Sequence, residues 1–240
     1  MANSYFQFKQ FTINQQHAAL KVSTDSCLFG AWAAEEVRSR KYEVKNILDI
    51  GAGTGLLMLM VAQKCNAMID GIEIDEPSYK QATENIEASV YSNRCNLFYG
   101  DVKQFQFKKK YDFIISNPPF YEGDLKSNAG NRNIAMHDEG LKLDELLQVV
   151  DANLTIDGTF AVMLPFYRLQ EVIEKAASKN LNIRLQFNVK QKTKYNFFRV
   201  MLFMQRQNEM AIAKDISIKD VKENYTLEFT ELLKDYYLYL

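Results

Sequence analysis

The feature that most constrains the fold is a glycine-rich turn at residues 51–55, which directly follows an apolar run and opens a helical pattern. Asn46–Ile50 is predicted to be a strand and residues 56–63 a helix. Apolar runs and helical patterns continue to alternate as far as residue 178. Strands that are separated by helices indicate βαβ units, in which the strands run parallel within one sheet.

Seven strands are predicted in this way. The last two, residues 181–189 and Phe197–Gln205, are joined by a polar loop with no helix, so they should pair antiparallel. The sequence therefore predicts an α/β fold with a mostly parallel seven-stranded sheet, one antiparallel strand near the C-terminus and helices on both faces. The other five predicted strands are Asn46–Ile50, Met68–Glu73, Cys95–Tyr99, Tyr111–Ser116 and residues 159–164.

The spacing of the glycine-rich turn narrows the ligands that it could hold. A dinucleotide site has the spacing G-x-G-x-x-G and binds a pyrophosphate at the helix N-terminus. This chain instead has G-x-G-x-G, formed by Gly51, Gly53 and Gly55 and led by Asp49. A carboxylate beside the turn would repel a pyrophosphate but suits an amino-acid moiety with an ammonium group. The alternative is a turn with a purely structural role.

Two further carboxylates follow predicted strands. Glu73 ends the second strand, about twenty residues past the turn, where an acid accepts hydrogen bonds from ribose hydroxyls. Asp101 follows the third strand, where its carboxylate could accept a hydrogen bond from the amino group of an adenine. The carboxyl ends of successive parallel strands present such groups to one ligand.

These motifs resemble those of the class I S-adenosylmethionine-dependent methyltransferases. The resemblance implies a Rossmann-like core that binds S-adenosyl-L-methionine as its cofactor. The residues that follow the two strand-end acids, Ile74 and Val102, are implied to line the same site. The implied cofactor-binding residues of the core are Asp49, Gly51, Gly53, Gly55, Glu73, Ile74, Asp101 and Val102.

Asn117, Pro118, Pro119 and Phe120 directly follow the fourth predicted strand. The prolines fix φ and exclude helix at the preceding residue, which predicts a stiff, extended ledge at the carboxyl end of the sheet. The Asn117 amide oxygen and a backbone carbonyl could accept both hydrogens of a planar NH₂ group, while Phe120 stacks on a flat base or amide. Two acceptors would also stabilise the positive charge that develops on the nitrogen as a methyl group arrives.

The tetrad resembles that of amino-methyltransferases acting on adenine N6, cytosine N4 or glutamine side chains, which implies that its four residues are catalytic. Residues 21–32, Lys-Val-Ser-Thr-Asp-Ser-Cys-Leu-Phe-Gly-Ala-Trp, are similar to the N-terminal signature of the bacterial tRNA1(Val) (adenine-N6) methyltransferases. Serines 23 and 26 stand where that family is expected to have glycines. Arg132, Ala135 and His137, together with Tyr225-Thr226 and the tail that follows, fit the same family.

This second resemblance implies methylation of the N6 of an adenine in the anticodon loop of valine tRNA, at the adenosine 3′ of the anticodon. It also implies that Lys21, Thr24 and Asp25 contact the cofactor. The alternative for Thr24 or Asp25 is a plain N-cap of the helix predicted at residues 28–40.

A loop rich in cations and aromatic rings is the candidate contact for tRNA. Its basic residues are Lys190, Lys192, Lys194 and Arg199, with Tyr195, Phe197 and Phe198 among them. Such a mixture suits a phosphate backbone and splayed bases, although a solvated turn is an equally good prediction. For the run of three lysines at residues 108–110 we prefer a solvated turn.

Composition limits the other possibilities. The net charge is −1, so any contact with nucleic acid has to be a local basic patch. Cys27, Cys65 and Cys95 are odd in number and far apart, which argues against a disulfide framework and against a metal site. His17 and His137 lack metal-like partners and are predicted to make structural or polar contacts.

The first ten residues lack the apolar core of a signal peptide, and no apolar run reaches the ~20 residues that span a bilayer. We therefore expect a cytoplasmic protein with no membrane contact, which is a monomer or a weak dimer.

We predict a single domain in three parts. Residues 1–45 form an N-terminal extension whose helix closes over the cofactor site, residues 46–210 form the methyltransferase core, and residues 211–240 form a tail with a helix packed on the core. Three other functions stay open. A glutamine-N5 protein methyltransferase would use the same tetrad but usually carries a helical domain longer than the 45 residues here, and a DNA adenine methyltransferase commonly carries a target-recognition domain. A scaffold that binds RNA and retains the cofactor without catalysis is the alternative outside enzymes.

Overall fold

The computed structural model describes residues 3–40, 43–119 and 140–240. Within these residues lie ten β-strands and six α-helices. The strands are β1 (Tyr5–Gln7), β2 (Thr12–Asn14), β3 (Asn46–Ile50), β4 (Met68–Glu73), β5 (Cys95–Tyr99), β6 (Tyr111–Ser116), β7 (Leu154–Pro165), β8 (Asn182–Lys192), β9 (Phe197–Gln205) and β10 (Ile212–Lys219). The helices are α1 (Thr24–Arg38), α2 (Leu56–Ala62), α3 (Glu76–Glu87), α4 (Leu143–Asn153), α5 (Leu169–Ala177) and α6 (Leu227–Leu233).

The central sheet has the strand order β10-β8-β9-β7-β6-β3-β4-β5. Within the described residues, β9 is the one strand of this sheet that runs antiparallel to its neighbours, β7 and β8. The predicted α/β class, with a mostly parallel sheet and one antiparallel strand near the C-terminus, is therefore confirmed. The predicted strand count was wrong, because the described residues form eight strands in this sheet and not seven.

The additional strand is β10, which pairs parallel to β8 at the edge of the sheet. Its first four residues are exposed and only Ile216 and Ile218 are buried, so its sequence has little of the alternation that marks a strand. β10 is a strand because its backbone pairs with that of β8, which its hydrophobic pattern does not predict.

Alternate residues of each strand divide between two apolar layers. Ile47, Phe113 and Phe203 belong to the layer that also holds α1, α2 and α6, whereas Leu48 and Ile114 belong to the layer that holds α4 and α5. Helices therefore cover both faces of the sheet, as the sequence predicted. Helices that cover both faces of a parallel sheet bury both faces of its strands. Most strands are therefore near-continuous apolar runs in the sequence, which made them easy to predict.

The parallel strands all end at one edge of the sheet, which is called the carboxyl edge below. The glycine-rich turn follows β3 there, and Asn117 follows β6, its neighbour in the sheet. Because β9 runs antiparallel, its first residues lie at this same edge, and Arg199 is opposite Pro165 at the end of β7. The fold thus brings the chemical motifs of the sequence to one side of the molecule.

Candidate active site

The glycine-rich turn has the backbone conformation that only glycine adopts readily. Gly51, Gly53 and Gly55 have φ angles of +74°, +56° and +80°, in the left-handed region that side chains disfavour. A Cβ atom at Gly51 or Gly53 would meet none of the described residues within 4 Å, so these residues leave the space above both glycines open. A Cβ at Gly55 would instead lie 3.6 Å from Ala82 Cβ on α3. The first two glycines therefore leave room for a ligand, and the third packs against a helix.

Glu73 joins the ends of β3 and β4. Its Oε2 atom accepts a hydrogen bond from the Gly53 N–H at 2.8 Å, and its Oε1 atom accepts one from the Asp75 N–H at 2.8 Å. The residue is only 8% exposed, yet each carboxylate oxygen has further lone pairs that could accept a hydroxyl. The two backbone bonds hold this carboxylate beside the open space above the glycines.

Asp49 is fully buried, and neither of its carboxyl oxygens has a hydrogen-bond partner among the described residues. Burial, together with the nearby negative charge of Glu73, raises the pKa of Asp49 to about 8. A buried acid without a partner is costly, and such groups in proteins generally have a functional explanation. A cation bound near Asp49 would remove this cost, because it would favour the ionised carboxylate.

These features fit S-adenosyl-L-methionine. That molecule carries positive charge on its sulfonium and ammonium groups, and its hydroxyl and amine groups are donors. The site offers acceptors on Asp49 and Glu73 and a loop that a ligand can approach closely. The pattern is complementary in both charge and hydrogen-bonding capacity.

The other predicted cofactor residues of the core lie along the same edge. Ile74 follows Glu73 and is 59% exposed, which leaves an apolar surface at the end of β4. The end of β5 is tied to β4 by a hydrogen bond from Gly100 N–H to Glu73 O at 2.9 Å. Asp101 comes next and accepts a hydrogen bond from the Lys103 N–H at 2.9 Å, while Val102 is buried.

Asn117 stands immediately beyond the last paired residues of β3 and β6. Ile50 is opposite Ser116 in the register, and the Ser116 hydroxyl donates to Ile50 O at 2.8 Å. Asn117 is partly exposed, Pro118 is buried and Pro119 is exposed. Phe120, the last residue of the tetrad, lies outside the described residues, as do Arg132, Ala135 and His137.

The Asn117 side chain is held by a residue of α1. Its Nδ2 atom donates to Ser26 Oγ at 3.1 Å, and Ser26 Oγ lies 2.7 Å from Ser23 Oγ. Among the described residues, Asn117 Oδ1 accepts no hydrogen bond. The acceptor that the sequence analysis assigned to a substrate amine is therefore available.

Helix α1 begins earlier than predicted, at Thr24 and not at residue 28. Its N-cap is Ser23, whose side chain accepts a hydrogen bond from Ser26 N–H at 3.3 Å. The alternative that Thr24 or Asp25 is the N-cap of this helix is therefore wrong. Ser23 has extended φ and ψ angles of −122° and 156°, so a serine fits this position without strain.

Two residues of the N-terminal signature, Asp25 and Lys21, contact different parts of the chain. Asp25 Oδ2 lies 2.9 Å from Arg199 Nε, which joins the start of α1 to the start of β9. Lys21 Nζ lies 3.5 Å from Gln15 O. No hydrogen bond or ion pair of the described residues joins Lys21, Thr24 or Asp25 to the glycine-rich turn or to Glu73.

A polar stripe on α3 holds the N-terminal segment beside the glycine-rich turn. Ser78, Gln81 and Asn85 are spaced along one face of the helix, and all three are buried. Ser78 Oγ accepts from the Ala19 N–H at 3.1 Å, and Gln81 Oε1 accepts from the His17 N–H at 3.5 Å.

Asn85 completes the stripe. Its amide bonds both the N–H and the carbonyl of Asn14 at 2.9 Å, and it also donates to Thr54 O within the turn at 3.0 Å. These contacts were not predicted, because polar residues on a helix usually indicate its solvated face.

The four basic residues predicted to contact RNA all lie near the carboxyl edge, but they differ in their partners. Arg199 is paired with Asp25, and Lys192 is paired with Glu223. Lys190 Nζ is 4.7 Å from the centre of the Phe197 ring, and Lys194 Nζ is 5.6 Å from that of Tyr195. Lys190 and Lys194 have no acidic partner within the described part of the chain.

Three other features bear on the earlier expectations. None of the helices in the described ranges is long and apolar enough to cross a membrane. In the same ranges, no group of three or more His, Cys, Asp or Glu side chains is arranged to hold a metal ion. The three cysteines are free, and burial raises the pKa of Cys27 to about 12.

Comparison with known proteins agrees with this geometry. Residues 34–178 match the family described as "Methyltransferase small domain". The chain is 39% identical to the tRNA1(Val) (adenine(37)-N6)-methyltransferase of Dyadobacter fermentans, and the match covers 98% of each chain.

Two solved structures share the fold at low sequence identity. One is a predicted O-methyltransferase of Agrobacterium tumefaciens, with a TM-score of 0.65 and 13% identity over 88% of this chain and 95% of the other. The second is the glycopeptide N-methyltransferase MtfA in complex with S-adenosyl-L-methionine, with a TM-score of 0.55 and 13% identity over 74% and 94% of the two chains.

Proposed function

The chain belongs to the family of tRNA1(Val) (adenine(37)-N6)-methyltransferases, and we propose that it transfers a methyl group to the exocyclic N6 of an adenine in tRNA. The proposed target is the adenosine 3′ of the anticodon in valine tRNA. The observation that carries this proposal is the position of Asn117, directly beyond the point where β6 pairs with the strand that leads into the glycine-rich turn.

S-adenosyl-L-methionine is the proposed cofactor, and when bound it supplies an electrophilic methyl group on a sulfonium. Asp49, Gly51, Gly53 and Glu73 are the residues proposed to hold it, with Ile74, Asp101 and Val102 toward its adenine. Lys21, Thr24 and Asp25 keep their proposed role at the cofactor, although in the structure Lys21 lies near Gln15 O and Asp25 is paired with Arg199. The buried carboxyl of Asp49, which accepts no hydrogen bond from the described residues, supports a cationic ligand.

The chemistry left to the protein is to position and activate a weak nucleophile. The lone pair of an adenine amine is delocalised into the ring, so the nitrogen attacks poorly unless that conjugation is reduced. In our proposal Asn117 Oδ1 and the Pro118 carbonyl accept the two N–H groups and draw the nitrogen toward tetrahedral geometry. The same two oxygens stabilise the positive charge that develops on it.

The remaining parts of the site have supporting roles in this proposal. Phe120 stacks on the flipped adenine, as expected from the sequence. Pro118 and Pro119 keep the backbone extended, so the acceptors are fixed before substrate arrives. Lys190 and Lys194 contact tRNA phosphates, because among the described residues neither lysine is held in an ion pair with an acid. We propose a cytoplasmic monomer or weak dimer, with tRNA as its macromolecular partner.

Methyl transfer from labelled S-adenosyl-L-methionine to unmodified total tRNA, followed by nucleoside analysis, tests the proposal. The expected product is N6-methyladenosine. A purified valine tRNA transcript should be methylated, and the same transcript with guanosine 3′ of the anticodon should not. Cofactor binding without label in tRNA would contradict the proposal and would direct attention to release factors as glutamine-methylated substrates.

The variant Asn117→Ala separates an enzyme from a binding protein. It should reduce methylation by roughly 10²-fold or more while cofactor binding stays intact, because Asn117 has no hydrogen bond to the glycine-rich turn. Asn153→Ala is a matched control, since Asn153 is also partly buried with one side-chain hydrogen bond but ends α4 away from the carboxyl edge.

A further inference from the structure

The hydroxyl of Ser26 is the one hydrogen-bond partner of the Asn117 side chain among the described residues. Ser26 lies in the first turn of α1, 91 residues away from Asn117 in the chain. No motif of the sequence points to this contact, and the proposed reaction gives Ser26 no role of its own.

The orientation of a primary amide matters for the proposed reaction. Rotation of the Asn117 amide by half a turn exchanges its oxygen and its nitrogen with little change in shape. With Nδ2 directed at Ser26, Oδ1 is free to accept from a substrate amine. In the opposite orientation, an NH₂ group would face another NH₂ group, and no hydrogen bond to the substrate could form.

The Ser23 hydroxyl oxygen is placed to take the Ser26 hydroxyl proton, which would leave Ser26 as an acceptor. The two hydroxyl oxygens are 2.7 Å apart, so one of them donates to the other. Ser23 Oγ also receives the Ser26 N–H. When the Ser26 hydroxyl donates to Ser23 Oγ as well, its own lone pairs are left for the Asn117 NH₂ group. This arrangement selects the amide orientation that presents Oδ1 to the substrate.

The start of α1 is held firmly enough to serve this purpose. Asp25, the preceding residue, is paired at 2.9 Å with Arg199 on β9. Cys27, the next residue, is fully buried in the apolar layer against the sheet. Ser26 is therefore anchored on both sides in the chain, and its hydroxyl has a fixed position relative to β6.

We propose that Ser26 is a positioning residue for methyl transfer, which fixes the amide of Asn117 so that Oδ1 accepts the substrate amine. The inference rests on the proposed function, because it concerns the same amine. It adds a residue that acts through Asn117 and does not itself touch the substrate.

The test measures the kcat of Ser26→Ala in steady-state methylation of tRNA. A hydrogen bond of ordinary net strength corresponds to a change of roughly threefold to tenfold, so kcat of Ser26→Ala should fall by about that factor. The dissociation constant for S-adenosyl-L-methionine and the KM for tRNA should stay within about twofold of wild type, because Ser26 contacts neither ligand in this mechanism.

Two controls separate positioning from a structural effect. Ser26→Thr keeps the hydroxyl and should recover most of the lost kcat. Ser39→Ala makes the same change at the other end of α1, where Ser39 Oγ donates to Glu36 O on an exposed surface, and it should leave kcat unchanged. In an Asn117→Ala background, single-turnover rates should show no further loss from Ser26→Ala, because its effect passes through Asn117.

The possible failures can be told apart. If wild type forms N6-methyladenosine in tRNA and Ser26→Ala has an unchanged kcat, the inference is wrong and the proposed function stands. A loss of kcat that is matched by weaker cofactor binding or by a lower melting temperature would show a structural role for Ser26, which also overturns the inference. If wild type does not methylate tRNA at all, the proposed function fails and the inference fails with it.

Discussion

Replacement of Asp49 by asparagine should change how the stability of the ligand-free protein depends on pH. Asp49 is fully buried without a hydrogen-bond partner among the described residues, and its pKa is raised from 3.8 to about 8. Between these two values the native state keeps the proton while the unfolded state releases it. Because the native state binds more protons, stability falls as pH rises from about 4 to about 8.

The size of this effect follows from the shift. Each pH unit within the window corresponds to about 1.4 kcal/mol, so raising the pH from 5 to 7 should cost wild type about 3 kcal/mol through Asp49 alone. For a chain of this length, 1 kcal/mol corresponds to roughly 2–4 °C in melting temperature. Ionisation of Asp49 should therefore lower the melting temperature of wild type by roughly 5–10 °C between pH 5 and pH 7.

The assay is urea or thermal unfolding of wild type and Asp49→Asn at pH 5 and pH 7 without cofactor. The other ionisable groups titrate in both proteins. The cost of burying the amide introduced by Asp49→Asn is the same at pH 5 and at pH 7. Only the difference between the two slopes is therefore compared. Stability of wild type should fall more steeply than that of the variant. Parallel slopes would refute the reasoning, since Asp49 would then be ionised in the native state or able to reach water.

Three further predictions concern the site. Gly53→Ala should lower the free energy of unfolding by about 1–2 kcal/mol, because alanine disfavours the φ angle of +56°. The same variant should bind the cofactor about tenfold more weakly, or worse, when the affinity is measured by calorimetry. An unchanged affinity would contradict a cofactor that lies above the turn. Asn117→Ala should reduce tRNA methylation by roughly 10²-fold or more while the cofactor dissociation constant stays within about twofold; normal turnover would exclude Asn117 as the amine acceptor. Lys190→Ala combined with Lys194→Ala should raise the KM for tRNA about threefold to tenfold and lower its salt dependence, whereas Lys108→Ala should do neither; an unchanged salt slope would remove both lysines from the tRNA contact.

Much of the fold followed from local patterns. β3, β4, β5, β6 and β9 begin and end where the sequence predicted. For β3, β4, β6 and β9 the reason is that strands buried on both faces need continuous hydrophobic residues, whereas β5 lies at the edge of the sheet and is partly exposed. The glycine-rich turn and the two prolines after β6 were equally clear, since the left-handed backbone and a fixed φ depend on single residue types.

The local patterns were ambiguous at two other places. Four polar residues in a row, from 23 to 26, could each have capped α1, and the choice of Ser23 was not predictable from their identity. β10 carries only two buried residues, so its hydrophobic pattern was too weak to reveal a strand. The backbone of β10 pairs with β8, and this pairing depends on the position of β8 in the folded sheet, which a local sequence pattern does not contain.

The sequence by itself therefore determined the alternation of strands and helices and the residue types at the carboxyl edge, because burial and turn chemistry act over a few neighbouring residues. Only the tertiary structure decided which of those residues meet. Ser26 binds Asn117 across 91 residues, and Arg199 pairs with Asp25 across 174. Asp49 is left in the interior near Glu73 with no hydrogen-bond partner in the part of the chain that the structure describes. Such contacts depend on how distant segments pack, and the hydrogen-bonding capacity of one side chain does not reveal which distant group will satisfy it.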